Sequence, residues 1–136
     1  MKRYYENAIY HVYNRGVDKR IVFIDRDDHL VFLHLLKTAL SDDTKRGSTP
    51  KHSSRKIGWY KRKNFYGKID LLAYCLMPNH FHLLLQQIEP TITTEFMRSI
   101  CVSYGMYFNK KYKRVGSLFQ GIFRAIDIEE DNYLLW

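Results

Sequence analysis

At 136 residues, with 46% apolar and 15% aromatic side chains, the sequence fits one folded domain around a single core and excludes a disordered chain. No stretch approaches the roughly 18 apolar residues of a membrane span, and the charged start Met1-Lys2-Arg3-Tyr4-Tyr5-Glu6 leads into no apolar run; a cytoplasmic protein with no membrane partner is expected. Formal net charge is +8, and nine of the 22 Lys and Arg residues lie between Lys45 and Lys68 with no acidic residue among them, leaving 13 basic against 14 acidic elsewhere.

The first element is a strand. From Ala8 to Tyr13, residues Ile9, His11 and Tyr13 alternate with Ala8, Tyr10 and Val12, and the turn-prone Asn14-Arg15-Gly16 ends the pattern. Asp25 or Asp27 can cap the helix that follows, in which Leu30, Leu33, His34, Leu36, Lys37 and Leu40 recur at helical spacing up to Ser41-Asp42. The basic segment comes next and reads as an insertion at about residues 42–68 within a single domain spanning 1–136. It interleaves its cations with Trp59, Tyr60, Phe65 and Tyr66, joining phosphate-seeking charge to rings on which unpaired bases stack. The plainer reading is a solvated loop pinned down by its aromatics, but localised basicity favours nucleic-acid contact.

Ile69 to Met77 reads as a second strand and His80 to Gln87 as a third, and Pro78-Asn79 is a tight turn that pairs them as a hairpin. Thr91 to Tyr112 is a second helix, with Thr93 or Thr94 near its start and Phe96, Ile100, Tyr104 and Tyr107 on one stripe. Gly116 breaks it, Ile122 to Ile128 forms a fourth strand, and Glu129 to Trp136 resembles the first turns of a third helix. Cys75 and Cys101 sit in apolar segments far apart, a spacing that suggests buried free thiols rather than a disulfide framework. The order β-α-β-β-α-β is that of an α+β, ferredoxin-like fold: an antiparallel sheet of four strands with two helices on one face and the other face free.

Residues Met77-Pro78-Asn79-His80-Phe81-His82-Leu83-Leu84 carry the most chemical information. In a strand, His80 and His82 leave the same face, and two neighbouring imidazoles can share a metal. A pair of ordinary half-buried histidines is the competing reading. The rigid Leu83-Leu84-Leu85 flank and the exposed turn before His80 favour ligation, by Mg²⁺ or Mn²⁺ with a phosphate substrate or by Zn²⁺ in a closed site. Such an ion polarises a phosphoryl oxygen in phosphodiester cleavage.

The stretch Met77 to Leu85 also resembles the His-hydrophobic-His motif of single-tyrosine HUH transposases, the IS200/IS605 group, and especially the branch associated with repetitive extragenic palindromes. The similarity continues through Tyr10-His11-Val12-Tyr13-Asn14-Arg15-Gly16, Asp25-Arg26-Asp27-Asp28, Tyr104-Gly105-Met106-Tyr107-Phe108-Asn109 and Gly116-Ser117-Leu118-Phe119-Gln120-Gly121-Ile122-Phe123-Arg124. The resemblance implies cleavage and rejoining of single-stranded DNA at hairpins. A tyrosine hydroxyl would form a 5′-phosphotyrosine link and free a 3′-OH, with His80 and His82 holding Mg²⁺ or Mn²⁺ and no nucleotide cofactor. Arg15, Arg62, Lys63 and Arg124 are the expected DNA-backbone contacts. The group works as dimers while the palindrome-associated branch is monomeric, so either state is open.

One part of the family pattern is missing. The nucleophile is expected on a helix after the fourth strand, about two turns beyond Tyr133 and therefore past Trp136, which suggests a truncated protein or a fragment. The resemblance also implies a Gln or Asn four residues after that tyrosine, completing the metal shell; Tyr10 with Asn14 and Tyr60 with Asn64 show this spacing by coincidence among eleven tyrosines, and Tyr104 and Tyr107 read as core and helix support. The alternative function is a decayed relative that only binds structured single strands. A third, an RNA-binding module of the same fold, would place Tyr74 and Phe81 as stacking aromatics.

Overall fold

The computed structural model describes residues 7–42 and 63–128. Most of the basic segment, including Arg62, and the expected start of a third helix lie outside the described residues. The elements are β1 (Ala8–Arg15), α1 (Arg26–Leu40), β2 (Ile69–Met77), β3 (His80–Gln87), α2 (Ile92–Tyr112) and β4 (Arg124–Asp127). The strands form one antiparallel sheet in the order β2-β3-β1-β4, the arrangement expected of a ferredoxin-like chain.

Alternation along the strands decides which face meets the helices. Ala8, Tyr10 and Val12 of β1 and Phe81, Leu83 and Leu85 of β3 are buried against Phe32, Leu35 and Leu36 of α1 and Phe96, Ile100, Tyr104 and Phe108 of α2. An aromatic cluster fills the centre, with Phe32 meeting Phe23 and Tyr104 edge to face at ring separations of 5.3 Å. The Tyr104 hydroxyl donates to the carbonyl oxygen of Val22, satisfying a buried acceptor in the chain that leads into α1. The helix stripe follows the expected residues, except that Phe108 rather than Tyr107 completes its buried side.

Helix α1 starts with a capping box. The Asp25 carboxylate accepts from the Asp28 N–H at 3.0 Å, and the Asp28 carboxylate accepts from the Asp25 N–H at 3.2 Å. Helix α2 starts differently. Thr91 adopts a left-handed conformation (φ 68°) without capping through its side chain, and the Thr93 hydroxyl instead donates to Gln87 Oε1 at 2.9 Å, tying α2 to the end of β3.

Two departures from the expected elements have physical causes. Strand β4 spans Arg124–Asp127 rather than 122–128, because the preceding residues cross the sheet end as a loop, with Gly121 in the left-handed region (φ 67°) and Gln120 N–H bonded to the Arg15 carbonyl. In β2 the register slips between Leu71 and Ala73, so one extra residue reverses the parity of the strand. Leu71 therefore pairs with Leu85 on the helix side while Cys75 pairs with His82 on the opposite side, and Cys75 is exposed rather than buried. Both cysteines are free thiols, as expected, and Cys101 on α2 is partly buried.

Candidate functional site

The histidines sit where three segments are stitched together. Gly16 N–H bonds to the Asn79 carbonyl, Val17 N–H to the Leu118 carbonyl, and Val22 and Phe23 N–H groups both to the Pro78 carbonyl, at 2.9–3.1 Å. A Cβ at Gly16 would lie 2.4 Å from the Arg20 carbonyl oxygen, so only glycine permits this close passage. The backbone around Pro78-Asn79 is thereby held from both sides, and β3 begins from a fixed point.

From there His80 and His82 project from the same face of β3, both half-buried, with ring centroids 5.0 Å apart and planes at 89°. Asn79 orients the first ring. Its amide Nδ2 donates to the Lys19 carbonyl at 3.3 Å, which leaves Oδ1 to face His80 Nδ1 at 2.7 Å. An amide oxygen only accepts, so His80 Nδ1 carries the proton and, in the neutral ring, Nε2 carries the lone pair. The second ring meets a residue absent from the sequence-based set: His11 Nε2 stands 2.9 Å from His82 Nδ1. Burial lowers the pKa of His82, with a further lowering from the charges of His11 and His80, and burial also lowers that of His11. Neutral imidazole is the ligating form, so this environment suits metal binding.

The donor set is incomplete among the described residues, where no three His, Cys, Asp or Glu side chains converge in a metal-holding arrangement. Two imidazoles with open positions nevertheless fit a divalent ion whose remaining ligands are oxygens from substrate and water.

The expected DNA contacts separate. Arg15 of β1 pairs in register with His80, and Arg124 of β4 pairs with Tyr13, so Arg15 shares a strand with His11 and Arg124 stands on the strand beside it. Arg15 and Arg124 are both exposed, and Arg15 Nη2 donates to Gln120 Oε1 at 2.8 Å. Lys63 lies near the opposite end of the sheet, ion-paired with Glu95 of α2, and the nine residues of β2 separate the two ends by about 30 Å at roughly 3.3 Å per residue. Arg62 is outside the described residues.

The tyrosines of α2 are structural. Burial raises the pKa of Tyr104; burial and then a hydrogen bond to Asp28 raise that of Tyr107 to about 12. Neither is set up to lose its proton. Tyr13 lies on the histidine face, its ring 5.8 Å from that of His82 and 5.4 Å from that of His11. Phe81 is fully buried beneath the helices, which removes it as a stacking platform and with it the basis of an RNA-binding reading. A separate groove of about 520 Å³ between α2 and residues 116–123, lined by Met97, Cys101, Met106 and Ile122 among others, includes none of these histidines.

His11 and Tyr13 were legible as sharing a face with each other, since they alternate within β1. That this face is the one carrying His82 depends on pairing across 71 residues, which no local pattern states.

A four-stranded antiparallel sheet with helices on one face and histidines on the other defines an α+β protein of the ferredoxin-like class. The chain belongs to the IS200-like transposase family: the family described as "Transposase IS200 like" matches residues 52–133. Its fold is similar to that of a REP-associated tyrosine transposase solved bound to a REP hairpin, at TM-score 0.62 and 12% identity, covering 99% of this chain and 64% of that one. It is also similar to a protein of Deinococcus radiodurans R1 described as a candidate transposase, at TM-score 0.58 and 15% identity, covering 99% of this chain and 92% of that one. This chain therefore spans somewhat less than two thirds of the hairpin-bound protein. No curated protein matches the chain. Among the described residues no helix is long and apolar enough to cross a membrane.

Proposed function

We propose that this chain supplies the metal-holding and DNA-holding surface of a strand transferase that cleaves and rejoins single-stranded DNA at hairpins. The observation that carries the reading is the pair His80 and His82, set side by side on the free face of the sheet, with His80 Nε2 left as the ligating nitrogen by the hydrogen bond to Asn79. The family relationship and the fold shared with a hairpin-bound transposase support the same reading.

His80 and His82 hold the ion, and Arg15 and Arg124 hold backbone phosphates on the adjoining strands. When bound, Mg²⁺ or Mn²⁺ withdraws charge from a phosphoryl oxygen. In the reaction a tyrosine oxygen bonds to phosphorus, the bond from phosphorus to the 3′-oxygen breaks, and the departing 3′-oxygen takes a proton to become a free hydroxyl. The 5′-phosphotyrosine link retains the energy of the broken bond, so a second 3′-OH rejoins the strand by the reverse step. No tyrosine among the described residues is assigned as that nucleophile. Basic residues between Lys45 and Arg62 add phosphate-seeking charge to the chain.

A second reading, binding without cleavage, is favoured by the state of the α2 tyrosines, whose hydroxyls are buried or engaged by Asp28. One experiment separates the two. The chain is incubated with a labelled single-stranded hairpin and Mn²⁺ and run on a denaturing gel. Strand transfer gives a protein-linked DNA band that His80→Ala abolishes and that persists in Tyr13→Phe. Retardation on a native gel with no covalent band shows a chain that holds the hairpin without itself supplying the nucleophile, and neither band overturns both readings.

A further inference from the structure

We propose that His11 is a positioning residue of this metal centre: its imidazole accepts a hydrogen bond from His82 Nδ1 and so fixes which nitrogen of His82 faces the ion. The inference rests on the reading of His80 and His82 as ligands.

The observation is the 2.9 Å separation between His11 Nε2 and His82 Nδ1, a hydrogen bond between two neutral rings. Each ring holds one N–H and one lone pair, so one of the two nitrogens donates. If His82 donates, its Nε2 carries a lone pair toward the open side, matching the tautomer that Asn79 imposes on His80. If His11 donates, His82 Nε2 bears a proton and cannot ligate. Metal binding through Nε2 and acceptance by His11 are therefore one arrangement, as second partners of metal-bound histidines commonly are.

The surroundings keep the ring in place. His82 packs between His11 at 5.1 Å and His80 at 5.0 Å, with Tyr13 at 5.8 Å. A tetrahedral ion such as Zn²⁺ shared directly by His11 Nε2 and His82 Nδ1 fits less well, because two nitrogens about 2.0–2.1 Å from it stand about 3.3 Å apart; adjacent ligands of an octahedral ion at that distance stand about 2.9 Å apart, so for Mg²⁺ or Mn²⁺ the metal-free tautomer and the His11→Gln variant make the distinction. Strand β1 brings His11 here by pairing with β3 in a register that sets Tyr13 opposite His82 and His11 diagonal to it.

The test uses the full chain labelled with ¹⁵N-histidine. Without metal, the spectra should show His82 as the Nδ1–H tautomer in the wild type and predominantly Nε2–H in His11→Phe. Mn²⁺ titrated into the DNA-free protein should bind about 10- to 100-fold more weakly to His11→Phe. His11→Gln, whose amide oxygen can occupy the acceptor position, should restore both readouts while circular dichroism confirms that each variant folds. An Nε2–H proton on His82 in the wild type, or unchanged tautomer and Mn²⁺ affinity in His11→Phe, overturns the proposal. So does a His11→Gln protein as weak as His11→Phe together with direct Mn²⁺ contact at His11 in the wild type, which would make His11 a ligand. Equal Mn²⁺ binding by wild type and His80→Ala would overturn the metal reading itself. That result is distinguishable because it appears without any substitution at His11.

Discussion

Lys111 Nζ, on the last turn of α2, stands 3.0 Å from Asp28 Oδ1 on the first turn of α1, and this contact joins the two helices through residues 83 apart in the chain. The same fully buried carboxylate accepts from the Tyr107 hydroxyl at 2.8 Å, the Tyr112 hydroxyl at 2.6 Å and the Ile24 N–H at 2.9 Å. Removing it strands several donors at once. Asp28→Ala should lower unfolding free energy by about 3–5 kcal/mol in urea denaturation, the range for breaking a buried charge pair from one side. A loss below about 1 kcal/mol would mean that water or a rearranged neighbour replaces the carboxylate.

Acid should weaken the same junction. Burial pushes the Asp28 pKa up, but hydrogen bonds from Tyr112, Lys111, Tyr107 and Ile24 outweigh it and hold the carboxyl at about 2. A folded-state value below the ordinary one favours folding above the unfolded pKa, and that stability disappears as pH falls toward the folded value. The contribution, on the order of 2 kcal/mol, should vanish between about pH 4 and pH 2. Unfolding followed at stepped pH should show this slope in the wild type and a shallower one in Asp28→Asn. Parallel curves would assign the acid sensitivity elsewhere.

Gly16 offers a different kind of test, because its φ of −59° is open to any residue. The obstacle is space alone, with the Arg20 carbonyl 2.4 Å and a Val22 methyl 2.8 Å from where a Cβ would sit. Gly16→Ala should cost roughly 1–3 kcal/mol, as overpacking does. It should also shift the His80 resonances, since Gly16 N–H holds the Asn79 carbonyl. Stabilisation, or no change at His80, would show that the loops part without disturbing β3.

If Arg15 and Arg124 hold phosphates, each should appear in the salt dependence of hairpin binding. Replacing either with Ala should reduce the slope of log affinity against log salt by about 0.7, the value per contact for single strands. Lys63→Ala, which removes the partner of Glu95 at the far end of the sheet, tests whether that end takes part. A changed slope for Lys63→Ala alone would relocate the DNA to the end where the basic segment enters.

How much of this was readable in advance follows from the range of each interaction. The hairpin of β2 and β3 and the helix to Tyr112 carry their periodicity and their turn within a few residues, so their bounds match the expected ones closely. His80 and His82 share a face for the same local reason. Nothing local marks the extra residue in β2, since Leu71-Leu72-Ala73 is apolar throughout and fits either parity. The partnership of His11 with His82 is equally silent, because Gly16, Pro78 and Leu118 must meet before the register of β1 is set. The ion pair of Lys63 with Glu95 of α2 is silent too, since it joins residues 32 apart in the chain.

The parity reversal in β2 gives the protein a built-in reporter. It turns Cys75 outward, directly across from His82, while burial pushes the Cys101 thiol up to about 12 and leaves it the less reactive of the two near neutral pH. A thiol-directed fluorophore or spin label added to the unaltered chain should attach at Cys75 and sense whatever settles on the histidine face, so occupancy can be followed without engineering an attachment point.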